Sequence, residues 1–310
     1  LISRKESMKI LKITILSFLT IVAFLVVFGY LYLYVLPKGP ELTTPQPLEI
    51  GKGNFVMSSY KHTERKSIRV WTYKPDSWEP DNTVLFVMHG MARNAENYLD
   101  AWVDIAERKN ILLIAPEFEN EFYRVTTNDY QEGNLQTFFG VKNPESEWSY
   151  TVIENIFDYI NENNDFSLDG YSMFGHSAGG QFVHRMVLLG STNRIKKAIA
   201  ANAGFYTFTD VSTDYPYGLQ NINAPLEKSF STDLTVLLGE LDKSAELGKL
   251  RQTKNAMIQG GHRLERGTNF FNFAQEVSNR KKLEFNWRLQ VVPNVGHNYK
   301  KMSEAASELL

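Results

Sequence analysis

The chain has 310 residues, 43% of them hydrophobic and 22% charged, enough for a sizeable core once an apolar N-terminal segment is set aside. A formal net charge of -2 supplies no general attraction to nucleic acid or to acidic partners, and no nucleic-acid partner is expected. With no cysteine, disulfides, thiol catalysis and cysteine metal sites are excluded.

Arg4, Lys5, Lys9 and Lys12 precede an uncharged run over residues 13–36, ITILSFLTIVAFLVVFGYLYLYVL. Its 24 residues exceed the roughly 20 that cross a bilayer. Tyr30, Tyr32 and Tyr34 sit near its far end, where amphipathic rings favour the membrane interface. A cleaved signal peptide would have a shorter apolar core and small residues at a cleavage site, and Val35-Leu36-Pro37-Lys38 offers no such site. The reading is therefore a transmembrane signal-anchor helix over 13–36, with the lipid bilayer as a partner. The basic segment 1–12 puts the N-terminus in the cytoplasm and the rest of the chain on the non-cytoplasmic side, periplasm or cell exterior. Pro37, Pro40, Pro45 and Pro47 mark residues 37–49 as an extended linker. A folded domain is expected over 50–310.

Residues 55–60 and 68–73 read as an antiparallel strand pair joined by a polar connection over 61–67. Residues 83–88 form a continuous apolar run, typical of a strand covered on both faces of a parallel sheet, and end in His89-Gly90. Asn94 is placed to cap a helix reaching about Lys109. Residues 111–115 form the next strand, closed by Pro116. Residues 117–147 lack periodicity, and loops of that length in compact domains tend to be functional. Val152, Ile153, Ile156, Phe157 and Ile160 predict a helix over 148–163. A buried strand over 171–176 leads through Ser177 into a helix with an apolar stripe of Phe182, Val183, Met186, Val187 and Leu189. Strands follow at 195–201, 234–238 and 287–292. Residues 205–230 are irregular and aromatic-rich, and 244–280 are largely helical with interruptions at Gly260-Gly261 and Gly267. Met302, Ala305, Ala306 and Leu309 mark a closing amphipathic helix. Strands alternating with helices from residue 83 onward predict an α/β fold, a mostly parallel sheet with helices on both faces.

Gly175-His176-Ser177-Ala178-Gly179 fits G-x-S-x-G, in which a serine occupies a sharp strand-to-helix turn and flanking glycines avoid collisions. The hydroxyl then stands at a helix N-terminus, whose unpaired N–H groups favour developing negative charge. Parallel α/β sheets collect chemistry at the carboxyl ends of their strands. His89-Gly90, Ser177, Asp242 and His297 all fall there, in the order Ser, Asp, His. These motifs (the His-Gly turn, Gly-His-Ser-Ala-Gly-Gly, Gly-x-x-Asp and Val-Gly-His) resemble those of α/β-hydrolase superfamily serine hydrolases, in particular the polyhydroxybutyrate depolymerase and feruloyl esterase-like group. The resemblance implies an α/β-hydrolase fold over about residues 50–310, a small-molecule or polymeric ester as substrate, and a nucleophile–base–acid triad. Ser177 would attack the acyl carbon, His297 would take and return the proton, and Asp242 would orient the imidazole. Backbone N–H groups of Ala178 and Met91 would hold the oxyanion.

Blander roles compete. Glu240 could replace Asp242, and His297 could merely cap the final helix. His89 and His176 fit structural roles in their turns, and His184 and His262 are read as structural or exposed. Arg93, close to the oxyanion turn, fits a surface charge better than a contact to substrate. No metal-ligand spacing and no phosphate-binding loop is present, so no cofactor or metal is expected. A peptidase, lipase or acyltransferase on the same scaffold stands as an alternative, as does a non-catalytic binding protein.

Overall fold

The computed structural model describes residues 4–34, 36, 38–119, 129–137, 140–190, 192–244, 246 and 249–310. Val35 and Pro37 of the expected span and linker lie outside the described residues, as do 120–128, 138 and 139 of the long loop and Ala245, Leu247 and Gly248.

The N-terminal helix α1, Arg4–Tyr34, takes in the basic residues as well as the apolar run. It is long and apolar enough to cross a membrane or to serve as a signal sequence, and its most apolar window is not buried at all. The stretch after it is not the free spacer its prolines suggest. Lys38 O accepts from Ser67 N at 3.0 Å, and Thr43 N donates to Val56 O at 3.1 Å. Val56 N donates back to Thr43 Oγ1 at 2.9 Å, and Leu48 N donates to Asn164 Oδ1 at 2.7 Å. Proline lacks the N–H for a full ladder, so the segment pairs through carbonyls and a threonine hydroxyl instead. In doing so it covers an exposed sheet edge.

Eight strands form one sheet in the order β1-β2-β4-β3-β5-β6-β7-β8. β1 (Gly51–Tyr60) and β2 (Thr63–Lys74) pair antiparallel through a tight turn at Lys61-His62, so both are longer than their apolar cores. β2 also runs antiparallel to β4 (Leu112–Glu117). The remaining neighbours, β3 (Val84–Met88), β5 (Tyr171–His176), β6 (Ile195–Ala201), β7 (Leu234–Gly239) and β8 (Arg288–Val292), are parallel. Pro116 does not close β4 but lies within it, opposite Val70. Pairing to β3 covers only 112–114, so the proline falls past the doubly bonded part and its missing donor is tolerated.

Alternate residues of each central strand feed two cores. Phe86 and Met88 join a cluster with helices α4 (Ser149–Asn164), α5 (Ala178–Leu189) and α8 (Arg263–Lys281). Leu85 and Val87 join a second cluster with α2 (Ala95–Asp100), α3 (Val103–Lys109) and α9 (Tyr299–Ser307). The single helix expected after Asn94 is thus two, and Asn94 makes no side-chain cap. The irregular stretch expected over 205–230 ends in a short helix, α6 (Leu226–Ser231). Of the expected helical stretch from 244, the described residues 244, 246 and 249–253 lie outside any helix, and helix begins at α7 (Lys254–Gln259). Gly267 does not interrupt α8: an added Cβ would lie 2.5 Å from Leu238 Cδ2, so the glycine lets the helix close on β7.

Candidate active site

Ser177 follows β5 and N-caps α5 with φ 59° and ψ -112°, a conformation that L residues rarely hold and that turns its side chain out at the top of the sheet. The backbone packing explains the glycines. A Cβ on Gly175 would sit 2.2 Å from Gly179 O, and one on Gly179 would sit 2.1 Å from Met88 O. Ala178 is the first residue of α5, so its N–H has no acceptor within the helix. The turn after β3 closes the other side, since a Cβ on Gly90 would lie 3.9 Å from Ser177 Cβ. Met91, next in the chain, is half exposed.

His297 arrives from the loop after β8. Its Nε2 is 3.1 Å from Ser177 Oγ, and its Nδ1 is 2.7 Å from Asp242 Oδ2. Asp242, past the end of β7, is fully buried. Glu240 points elsewhere, with Oε2 accepting from Asn294 N at 2.8 Å. Residues 55, 65 and 120 positions apart thus meet: 242 to 297, 177 to 242 and 177 to 297 span the β5–β8 half of the sheet.

No family model matches the chain, and no curated protein matches it. Among solved structures, poly(aspartic acid) hydrolase-1 from Sphingomonas sp. KT-1 superposes with a TM-score of 0.80 at 35% identity, covering 84% of this chain and 99% of that one. The chain belongs to the α/β-hydrolases of polyhydroxybutyrate depolymerase and esterase type. The poly(3-hydroxybutyrate) depolymerase LpqC from Bordetella parapertussis matches at 29% identity and TM-score 0.80, over 84% of this chain and 89% of that one. An S-formylglutathione hydrolase from Agrobacterium tumefaciens, at 15% identity and TM-score 0.54 over 87% of this chain and 97% of that one, shares the fold.

Around Ser177 and His297, three histidines are buried. His176 bonds through Nδ1 to the Tyr98 hydroxyl at 3.1 Å, and its ring centroid lies 4.5 Å from that of His297. Burial, then the neighbouring His297 and Arg263, hold it well below the usual imidazole range, so it stays neutral beside His297. His89 Nε2 accepts from Phe118 N at 3.1 Å and its Nδ1 meets Gly90 O at 2.9 Å, pinning the turn that leads to Met91. Burial and the charge of Arg93 pull His89 down to about 3. His184 bridges Gly180 O and Thr207 N and is likewise held neutral, by burial first and then by Arg185. His262 caps α8, its ring accepting from Glu265 N.

Arg93 is not a surface charge. It is buried, donates to Phe118 O at 2.6 Å and lies 4.5 Å from the Tyr130 ring centroid, because Phe118 and Tyr130 both pack over the β3 turn. Arg263 was not legible as a site residue. It opens α8 directly beneath Asp242 and donates to that carboxylate's other oxygen at 3.3 Å. Its only sequence mark is a place at a helix start, which many arginines share. A separate cavity of about 340 Å³, lined by Trp148, Glu154, Met186 and Arg194 among others, contributes no residue to this site.

Proposed function

We propose that this chain is a serine hydrolase that cleaves carboxylic esters through an acyl-enzyme on Ser177. The observation that carries this reading is the continuous contact from Ser177 Oγ to His297 Nε2, 3.1 Å, and from His297 Nδ1 to Asp242, 2.7 Å. A serine hydroxyl is a weak nucleophile until a base removes its proton. His297 accepts that proton as Oγ attacks the acyl carbon. Asp242 accepts from Nδ1–H, which fixes the tautomer and offsets the charge of the imidazolium. The oxyanion takes hydrogen bonds from the N–H groups of Ala178 and Met91, each worth about 3 kcal/mol of barrier by analogy with other oxyanion donors. As the intermediate collapses, the alcohol leaves with the proton from His297. Water, deprotonated by the same ring, then attacks the acyl-enzyme, releasing the acid and restoring Ser177.

The similarity to a poly(aspartic acid) hydrolase supports a second reading, cleavage of an amide link in an anionic polymer, by the same steps with an amine as leaving group. We read α1 as an uncleaved anchor over residues 13–36 that leaves the hydrolase domain, residues 50–310, on the non-cytoplasmic side; the basic residues before the span support that orientation. The deciding experiment compares the full chain in detergent with Ser177→Ala on chromogenic esters of graded acyl length and on poly(aspartic acid). Ester turnover confined to the wild type supports the first reading. Release of amines without ester turnover favours the second, and equal rates for both proteins defeat both.

A further inference from the structure

The point where the domain meets its anchor lies at the catalytic end of the sheet. β2 runs antiparallel to β4, with Arg69 opposite Glu117, the last residue of β4. Residues of β2 before Arg69 therefore project past the carboxyl ends of the parallel strands, the end that carries Ser177 and His297. It is there that Lys38 docks, bonded to Ser67 N and bridged to Lys66. The contacts continue into the site itself. Lys66 Nζ lies 3.6 Å from Asp129 Oδ2, and the hydroxyl of adjoining Tyr130 donates to His89 O at 2.7 Å, in the turn that precedes Met91.

The tether is short. Only residues 35–37 separate the end of α1 at Tyr34 from docked Lys38. The four Cα–Cα steps from 34 to 38 reach at most about 14 Å. Ser177 on β5 is three strand spacings from β2 in the sheet order, about 14 Å to the side. From the same end of the domain, Met91 after β3 and Leu241 after β7 expose about half of their surfaces on either side of Ser177. Met257 and Ile258 of α7, just before Arg263, are exposed by 46% and 74%. Lys243 and Lys254 are exposed on the same segments, and Lys300 and Lys301 are exposed in the first turn of α9. Exposed apolar side chains mixed with lysines suit an interface with anionic headgroups.

We propose that this end of the domain docks on the anionic surface of the bilayer that α1 enters, so that the site works on acyl esters held in or on that leaflet. The proposal rests on the reading of α1 as a membrane span and of Ser177 as the nucleophile. It does not extend to soluble esters, which reach the site from any direction.

The absence of cysteine permits a direct test. The full chain is reconstituted into vesicles of phosphatidylcholine with phosphatidylglycerol, carrying a single environment-sensitive dye at Ile258→Cys or, as control, at Asp81→Cys in the exposed loop before β3, at the opposite end of the sheet. Quenching by headgroup spin-labelled lipid is expected to be several-fold stronger at 258 than at 81. A flexible insert of twelve residues after Leu36 is expected to lower turnover of a vesicle-embedded fluorogenic ester several-fold while leaving a water-soluble ester unchanged. Equal quenching at both positions, with the chain retained in the membrane pellet at alkaline pH, overturns the proposal alone. Release of the chain by alkaline carbonate overturns the anchor reading and the proposal together. Turnover of neither ester by the unlabelled wild type places the fault in the hydrolase reading.

Discussion

Arg263 Nη1 donates to Oδ1 of Asp242 at 3.3 Å, while Oδ2 of the same carboxylate faces His297 Nδ1 at 2.7 Å. Both partners are almost fully buried, with side-chain exposures of 1% and 0%. Asp242 is thus shared between a permanent cation and the imidazole. The His176 ring lies tilted against the same imidazole, Tyr98 bonds to His176, and Tyr299 lies over Tyr98, so Arg263 is the one permanent cation among the groups named in this shell. Removing it takes the charged partner from one oxygen of a buried carboxylate, so the carboxylate is held less firmly against Nδ1. For Arg263→Gln, kcat on an ester is expected to fall roughly tenfold, about 1.4 kcal/mol. Arg263→Lys should restore most of the rate. An unchanged kcat in the Gln variant would instead mark Arg263 as packing alone.

The two acids after β7 are separated by their partners. Asp242→Asn leaves the shape but presents the wrong hydrogen-bonding pattern to Nδ1, and kcat is expected to drop by about 10⁴-fold. Glu240→Gln alters only a loop bond to Asn294 N and is expected to stay within a few-fold of wild type. Ser177→Ala should lose 10⁴-fold or more, roughly, and all labelling by a serine-directed phosphonate. Steady-state kinetics of the three variants on one ester decides the matter; a Glu240→Gln loss equal to that of Asp242→Asn would reassign the acid.

Buried neutral histidines make the fold sensitive to acid. His89, His176 and His184 all have their affinity for protons lowered in the folded state, His89 to about 3, against 6.5 when exposed. Between those limits the unfolded chain binds more protons, so stability falls as pH falls. The contribution is intact above about pH 6.5 and declines below it, costing on the order of 2 kcal/mol at His89 by pH 5. His176 and His184 act in the same direction. The urea midpoint is therefore expected to fall steeply from pH 7 to 5. His89→Gln, which can still donate and accept, should flatten that fall; an unchanged slope would contradict the assignment.

Gly179→Ala would place a carbon 2.1 Å from Met88 O and 2.9 Å from His89 O, both rigid backbone atoms. Overpacking of this kind costs about 1–3 kcal/mol, and here relief requires α5 to move off β3. A lowered melting temperature together with a reduced kcat is expected, because Ser177 moves with the helix. A variant that melts as wild type does would show that the elbow yields more easily than the distances imply.

The strand and helix order was legible in the residues because burial on two faces imposes continuous apolar runs, and one-sided burial imposes helical periodicity. That is why the strand 195–201 and the helix after Ser177 read directly, and why the G-x-S-x-G turn and His297 after the last strand pointed to one end of one sheet. Other features depend on which distant segments touch, and no local pattern encodes that. Pro116 reads as a terminator but sits inside a strand, because its neighbour β3 pairs only with earlier residues. Proline-rich residues 38–48 read as a spacer but lie strapped along β1 and β2. Arg93 reads as a surface charge and is buried under Tyr130. Arg263 carries no local mark of a site residue, and only the approach of α8 to the end of β7 sets it against Asp242. Composition and periodicity report how each segment meets water; the pairing of charges and the place where the segment after α1 joins the sheet are set by contacts between residues far apart in the chain.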